Sequence, residues 1–134
     1  MVITPACGFV NSNGAVIIGI AAGLIPWFFC YKVKSWFGYD DALDTFGVHG
    51  IGGMTGTLLA GIFTASAIGG TSGLIEGHPQ QVLIQLYGIA VTLVWSGGVT
   101  YVLLKLVSAF VPLRVSLQQE LEGLDISQHG EALQ

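Results

Sequence analysis

Residues 45–75 read TFGVHGIGGMTGTLLAGIFTASAIGGTSGLI, and this stretch decides the class of protein. It contains no Asp, Glu, Lys or Arg, and His49 is its one ionisable side chain. An uncharged run of this length can cross the hydrocarbon core of a bilayer, which needs about 20 residues of helix. The run therefore predicts a transmembrane helix over about 44–65, with Asp44 as its N-cap and a glycine-rich loop at 69–73 after it.

Two further runs predict two more spans. Residues 14–31 are uncharged, and residues 77–104 are uncharged apart from His78. Asn11, Ser12 and Asn13 supply N-cap chemistry before the first of these runs, and Pro26 predicts a kink inside it. The sequence thus predicts an all-α, polytopic membrane helix bundle. Its three full spans are expected at about 14–32, 44–65 and 79–107.

The remaining segments are assigned by length and charge. Residues 1–10 are apolar but too short to cross a bilayer, and we expect them to be the end of a further span. Four of the eight acidic residues lie after residue 112, with Gln and Gly. We therefore expect a transmembrane portion over 1–111 and a solvated C-terminal region over 112–134.

Composition excludes several classes of protein. Apolar residues make up 52 % of the chain and charged residues 9 %, against roughly 25 % charged in a typical soluble protein. Four Lys/Arg in a chain of net charge −4 cannot neutralise many phosphates, so a nucleic-acid binder is excluded. A mean hydropathy of +0.73 excludes disorder. Cys7 and Cys30 lie at opposite ends of the first apolar segment, too far apart for a disulfide.

The basic residues predict the orientation. With three crossings, Lys32, Lys34, Lys105 and Arg114 all fall on one side of the membrane, and these are the only Lys and Arg residues. The positive-inside rule makes that side cytoplasmic. The C-terminus is therefore expected to be cytoplasmic, and the start of the first full span external.

His49 is the first candidate for function. An ionisable side chain within a membrane helix is a functional-site hypothesis by default. A histidine hydrogen-bonded between helices for structural reasons alone explains it equally well, and the residues leave both readings open. The neighbouring Gly52, Gly53 and Gly56 favour close helix packing over a direct role. The third span carries a similar seam for helix packing: Gln81, Gln85, Gly88, Thr92 and Ser96.

The sequence predicts no cofactor, metal or catalytic site. His78 is expected at the outer membrane surface and His129 in the tail, so neither can join His49 at one metal ion. No Cys/His spacing is typical of a zinc site. There is no nucleophile elbow, phosphate loop or carboxylate pair, which argues against an enzyme.

At this point a family resemblance becomes specific. Residues 40–70 resemble the tenth transmembrane helix of the ammonium transporter (Amt/Rh) family, Amt branch. Residues 3–25 (ITPACGFVNSNGAVIIGIAAGLI) resemble the end of helix eight and helix nine. Residues 85–106 (QLYGIAVTLVWSGGVTYVLLKL) resemble helix eleven, and residues 113–132 resemble the cytoplasmic C-terminal region. The match covers essentially the whole chain, as about the last third of such a transporter.

The resemblance implies an eleven-span fold built on an inverted five-plus-five repeat, assembled as a homotrimer in the inner (plasma) membrane with one pore per subunit. His49 matches the second of two pore histidines. Asp41 and Asp44 match acidic positions at the cytoplasmic pore mouth. Thr45 falls in the inner pore, where the family usually has an apolar residue. The C-terminal region is implied to take part in regulation by PII signalling proteins.

The implied chemistry follows from simple physics. A dry apolar lumen penalises any bare cation, but ammonium can shed a proton and cross as ammonia. A neutral imidazole can donate to or accept from that nitrogen. The sequence therefore predicts part of an ammonium transporter or channel. The alternative is a truncated membrane fragment or interaction piece that conducts nothing by itself.

Overall fold

The computed structural model describes residues 1–131. Three of its helices are long and apolar enough to cross a membrane: Ser12–Phe37, Phe46–Phe63 and Gln80–Ser108, here called the first, second and third spans. Among the described residues there is no strand beyond an isolated bridge between Val10 and Thr64. The predicted fold class, all-α with three full spans, is confirmed.

The first span changes its helical type near its end. It is α-helical over Ser12–Phe28, π-helical over Phe29–Val33 and α-helical again over Lys34–Phe37. The Asn11 side chain accepts a hydrogen bond from the N–H of Gly14 at 2.9 Å, as the predicted cap requires. Pro26 has no N–H to donate to the preceding turn, and the wider π-helical turns begin three residues after it.

The second span begins with a π-helical segment, Phe46–Ile51, and continues as an α-helix over Gly52–Phe63. The carboxylate that caps it belongs to Asp41, which accepts from the N–H groups of Thr45 and Phe46, both at 2.8 Å. The predicted N-cap was Asp44, and its side chain does not cap the helix. It accepts instead from Lys34, at 2.7 Å. A long-range ion pair has replaced the local cap.

The small core lies between the first span, the second span and the N-terminal segment. Residues Thr4–Ala6 of that segment form a single 3₁₀ turn. A Cβ atom at Gly56 would overlap the backbone carbonyl of Val2, and one at Gly52 would lie 3.2 Å from the Val2 side chain. Glycine is therefore required at Gly56 for this approach. The buried hydrophobic cluster consists of Val2, Ala6, Ile18 and Ala60.

The predicted glycine-rich loop at 69–73, in the connection from the second to the third span, lies between two short turns. A helical turn at Ser66–Gly69 precedes it, and a 3₁₀ turn at Leu74–Glu76 follows it. The N–H of Ala65 donates to the carbonyl of Phe9 at 2.8 Å, which ties this connection to the N-terminal segment.

The chain divides into two compact units, Met1–Val91 and Thr92–Gln134. In the second unit, Ser116 and Gln119 form a capping box that starts the short helix Leu117–Glu122. A π-helical turn, Asp125–His129, follows. The region predicted as a solvated tail therefore has secondary structure of its own, and its last residues, 132–134, lie outside the described part.

Candidate functional site

His49 lies in the π-helical segment Phe46–Ile51, and its side chain is exposed. Its imidazole ring has no hydrogen-bond partner among residues 1–131. Short π-helical turns occur frequently at functional sites, because they redirect the side chains of one turn. A polar ring without a partner, on an otherwise uncharged span, is available to a group outside this chain.

Two other positions of the same segment are fixed by contacts with the residues before it. Gly47 is buried against Cys30 of the first span, and a Cβ atom at Gly47 would overlap the Cys30 sulfur. The Phe46 ring packs edge-on against Tyr39, with 5.8 Å between ring centroids. These contacts hold the backbone that carries His49, while the His49 side stays uncovered.

The predicted glycine seam has two sides. Gly52 and Gly56 face the N-terminal segment, as described above. Among the described residues, no atom outside the helix itself lies within 4 Å of a Cβ built at Gly53. Thr45 and Gly53 lie one turn before and after His49, and we call these three residues the open face.

A charged cluster lies at the start of the second span. The Lys34 ammonium group donates to the Asp41 carbonyl at 2.6 Å and to the Asp44 carboxylate at 2.7 Å. The Lys34 and Asp44 side chains are 30 % and 42 % exposed, so water screens this pair only in part. The backbone of Asp44 has φ +53°, the left-handed region that non-glycine residues rarely adopt.

Tyr39 lies beside this cluster. Burial raises the pKa of its hydroxyl above the usual value, and the negative charge of Asp41 adds to the effect. Its hydroxyl oxygen is buried and lacks a hydrogen-bond partner within residues 1–131. Sequence reasoning used Lys34 only for orientation and missed its contact with the loop. A lysine facing an acidic loop a few residues later was the available signal.

The other predicted residues lie apart from the open face. His78 is exposed in the connection before the third span, with its ring 3.2 Å from the carbonyl of Glu76. No group of three or more His, Cys, Asp or Glu residues in the described chain is placed to hold a metal ion. The third-span glutamines line a cavity of about 160 Å³, whose walls are Pro5, Phe9, Ala60, Thr64, Thr71, Gln81 and Gln85.

Comparison with known proteins identifies the family. The sequence profile of the Ammonium Transporter Family matches residues 1–133. The chain belongs to the ammonium transporter family. It is 50 % identical over 129 residues to the ammonium transporter of Aquifex aeolicus and 44 % identical over 131 residues to that of Bacillus subtilis, with 96 % of this chain covered in each case.

A solved ammonium transporter structure has the same fold. The crystal structure of Saccharomyces cerevisiae Mep2 superimposes with a TM-score of 0.75 at 37 % identity, covering 87 % of this chain and 28 % of that one. The chain spans 30 % of the Aquifex aeolicus protein and 32 % of the Bacillus subtilis protein. Family membership, together with three apolar helices, makes this a multi-pass membrane protein.

Proposed function

We propose that this chain forms the C-terminal part of an ammonium transporter and contributes one wall of its pore. The relatives that match it over 96 % of its length are named ammonium transporters. Membership of the ammonium transporter family and the three apolar helices support this assignment. The transporter would move ammonium or ammonia across the inner (plasma) membrane.

The open face carries the proposal. Thr45, His49 and Gly53 form an uncovered strip on a span that has no Asp, Glu, Lys or Arg. A lumen bordered by such a strip offers one polar ring about one turn from the start of the span and little bulk around it. The neutral imidazole would hydrogen-bond to ammonia nitrogen, while the apolar walls exclude bare cations. Thr45 would add a hydroxyl to the inner lumen.

Asp41 and Asp44 would stand at the cytoplasmic mouth of this pore. Both lie in the loop that precedes Thr45, on the side of the chain that carries all four basic residues. The positive-inside rule supports the cytoplasmic assignment of that side and of the C-terminus. Residues 112–134 would then form a cytoplasmic region that a PII signalling protein can reach, and the assembled transporter would be a homotrimer.

One observation favours the alternative, a fragment that conducts nothing alone. Among the described residues, the buried apolar side chains outside proline and glycine are few: Val2, Ala6, Ile18, Ala60 and Ala65. Three spans with so small a core cannot enclose a lumen. This chain would therefore conduct only together with the helices that complete the pore.

The proposal is tested in a chimera in which this chain replaces the matching segment of the Aquifex aeolicus transporter. The chimera is expressed in a strain that lacks its own ammonium transporters, and growth is measured on limiting ammonium. We expect His49→Ala to abolish the growth that the chimera supports, because the pore loses its polar ring. The amount of protein in the membrane is measured in parallel.

His78→Ala is the matched control, since it removes the same ring from an exposed position outside the spans. It should leave growth unchanged. Growth of the His49→Ala chimera at the rate of the unmodified chimera would overturn the pore assignment. Loss of growth in both variants would mean that any histidine substitution damages the protein, and would equally remove the support for His49.

A further inference from the structure

One side chain ties the loop between the first two spans to the first span. Lys34 donates to the Asp41 carbonyl at 2.6 Å and to the Asp44 carboxylate at 2.7 Å. Lys32, two residues earlier and equally charged, lies over the ring of Tyr31 instead, 5.1 Å from its centroid. The contact with the loop is therefore particular to Lys34 and does not follow from positive charge at this membrane face.

The two residues that Lys34 holds are those that start the second span. Asp41 uses its carboxylate to accept from the N–H groups of Thr45 and Phe46, both at 2.8 Å. Asp44 precedes Thr45 and has the left-handed backbone conformation, φ +53°. Aspartate is one of the few non-glycine residues that adopt this conformation, and the ion pair with Lys34 holds its side chain in place.

The start of the span sets the position of the open face. Thr45 is the first residue after Asp44, and His49 and Gly53 follow at intervals of one turn. The backbone hydrogen bonds of a helix keep these intervals fixed, so a rotation at Thr45 turns His49 by a similar angle. Lys34 itself extends from the first span and is not part of the open face.

We infer that Lys34 is a positioning residue for the pore: through Asp41 and Asp44 it sets the direction in which Thr45, His49 and Gly53 face. It acts on these residues through the loop and touches no substrate. The inference rests on the proposed function, because it takes the open face to line the lumen. A small misplacement of a group that contacts substrate is sufficient to alter binding and selectivity.

The test uses the same chimera with radiolabelled methylammonium, and it measures KM, maximal rate and inhibition by potassium per inserted protein. Lys34→Met removes the charge and keeps the length of the side chain. We expect it to raise KM or potassium inhibition about tenfold. Lys34→Arg should keep most of the transport, because a guanidinium can still donate to both oxygens. Lys32→Met is the matched control and should behave as the unmodified chimera.

Asp44→Asn supplies the second arm. Asparagine tolerates a positive φ as aspartate does, so this variant removes the charge without new backbone strain. We expect Asp44→Asn to shift KM in the same direction as Lys34→Met. The double variant should be no worse than the more damaging single variant, since both single variants remove the Lys34–Asp44 ion pair.

Three results would overturn the inference: a Lys34→Met chimera with unchanged KM and selectivity, an equal effect of Lys32→Met, or additive effects in the double variant. If Lys34→Met does not insert, Asp44→Asn decides, and an unchanged KM there overturns the inference. His49→Ala is measured alongside. Normal transport by His49→Ala contradicts the proposed function, whereas loss of transport there with normal Lys34 variants contradicts the positioning role alone.

Discussion

The second and third spans differ in what they pack against. Of the second span's residues, 28 % are buried, whereas the third span has no buried residue. The second span is rich in glycine, which disfavours a helix in isolation, and it is held by the N-terminal segment and the first span. The third span satisfies its own backbone within one continuous helix. Its first turns approach Gly61 of the second span through Gln81, Val82 and Gln85, and most of the apolar side chains that follow are exposed.

The two spans therefore differ in how far contacts within this chain fix them. The conformation of the second span, which carries His49, is set by contacts that the chain itself provides. The third span exposes large apolar groups such as Val94 and Trp95, at 78 % and 73 %. Outside the helix itself, no described atom lies within 4 Å of a Cβ built at Gly88, Gly97 or Gly98 of this span. We therefore expect substitutions at the close approaches of the second span to have strong effects, and substitutions at the glycines of the third span to have weak ones.

The largest expected effect concerns the chain alone. Because three spans with one open face cannot enclose a lumen, expression of residues 1–134 by themselves should not restore growth on limiting ammonium. The chimera, in the same strain and at matched expression, is the positive control. Rescue by the chain alone, abolished by His49→Ala, would show that the spans build a pore without further helices.

The next effect concerns Gly56 and Gly98. Gly56→Ala places a Cβ against the backbone of Val2, which cannot move away as a side chain would, and it should destabilise the chimera by about 3 kcal/mol. Gly98→Ala in the third span meets nothing within 4 Å in the described residues, and its effect should stay within about 1 kcal/mol. Thermal unfolding in detergent measures both. An equal loss at Gly98 would mean that the third span is packed as closely as the second.

The helix caps, the π-helical segment and the glycine contacts differ in how far the sequence predicts them. The Asn11 cap depends on residues three apart, so local pattern was sufficient. The sequence predicts Asp44 as the N-cap, but the carboxylate that caps the helix belongs to Asp41. Lys34, ten residues before Asp44, binds the Asp44 carboxylate, and the local pattern does not show this contact. Sequence located His49 within a span, but the π-helical start of that span depends on packing against Cys30 and Tyr39. Periodicity likewise indicated close packing at Gly52 and Gly56 without naming Val2 as the partner.

The smallest expected effect lies in the connection between the two spans. The N–H of Ser66 donates to the Glu76 carboxylate at 2.9 Å, and this hydrogen bond lowers the pKa of Glu76 below its usual 4.5. A carboxyl group whose pKa is lower in the folded chain stabilises the fold at any pH above its pKa in the unfolded chain. This contribution is lost as the pH falls through the pKa in the folded chain.

Glu76→Gln should therefore lower the thermal midpoint slightly at pH 7, and the difference from the unmodified chimera should shrink below pH 4.5. Glu122→Gln, the same substitution in the second compact unit, is the control. A difference that does not change with pH would show that the Glu76 charge does not support the connection. The hydrogen bond between Ser66 and Glu76 would then not contribute to the stability of the connection between the second and third spans.

The central claim, that this chain contributes a pore wall through His49, is tested most directly by transport with purified protein. The chimera, its His49→Ala variant and its His78→Ala variant are reconstituted in liposomes at equal amounts, and the initial rate of methylammonium uptake is measured with and without potassium. The account predicts that His49→Ala alone loses transport, or loses its discrimination against potassium. Uptake and selectivity of His49→Ala equal to those of the unmodified chimera would contradict it.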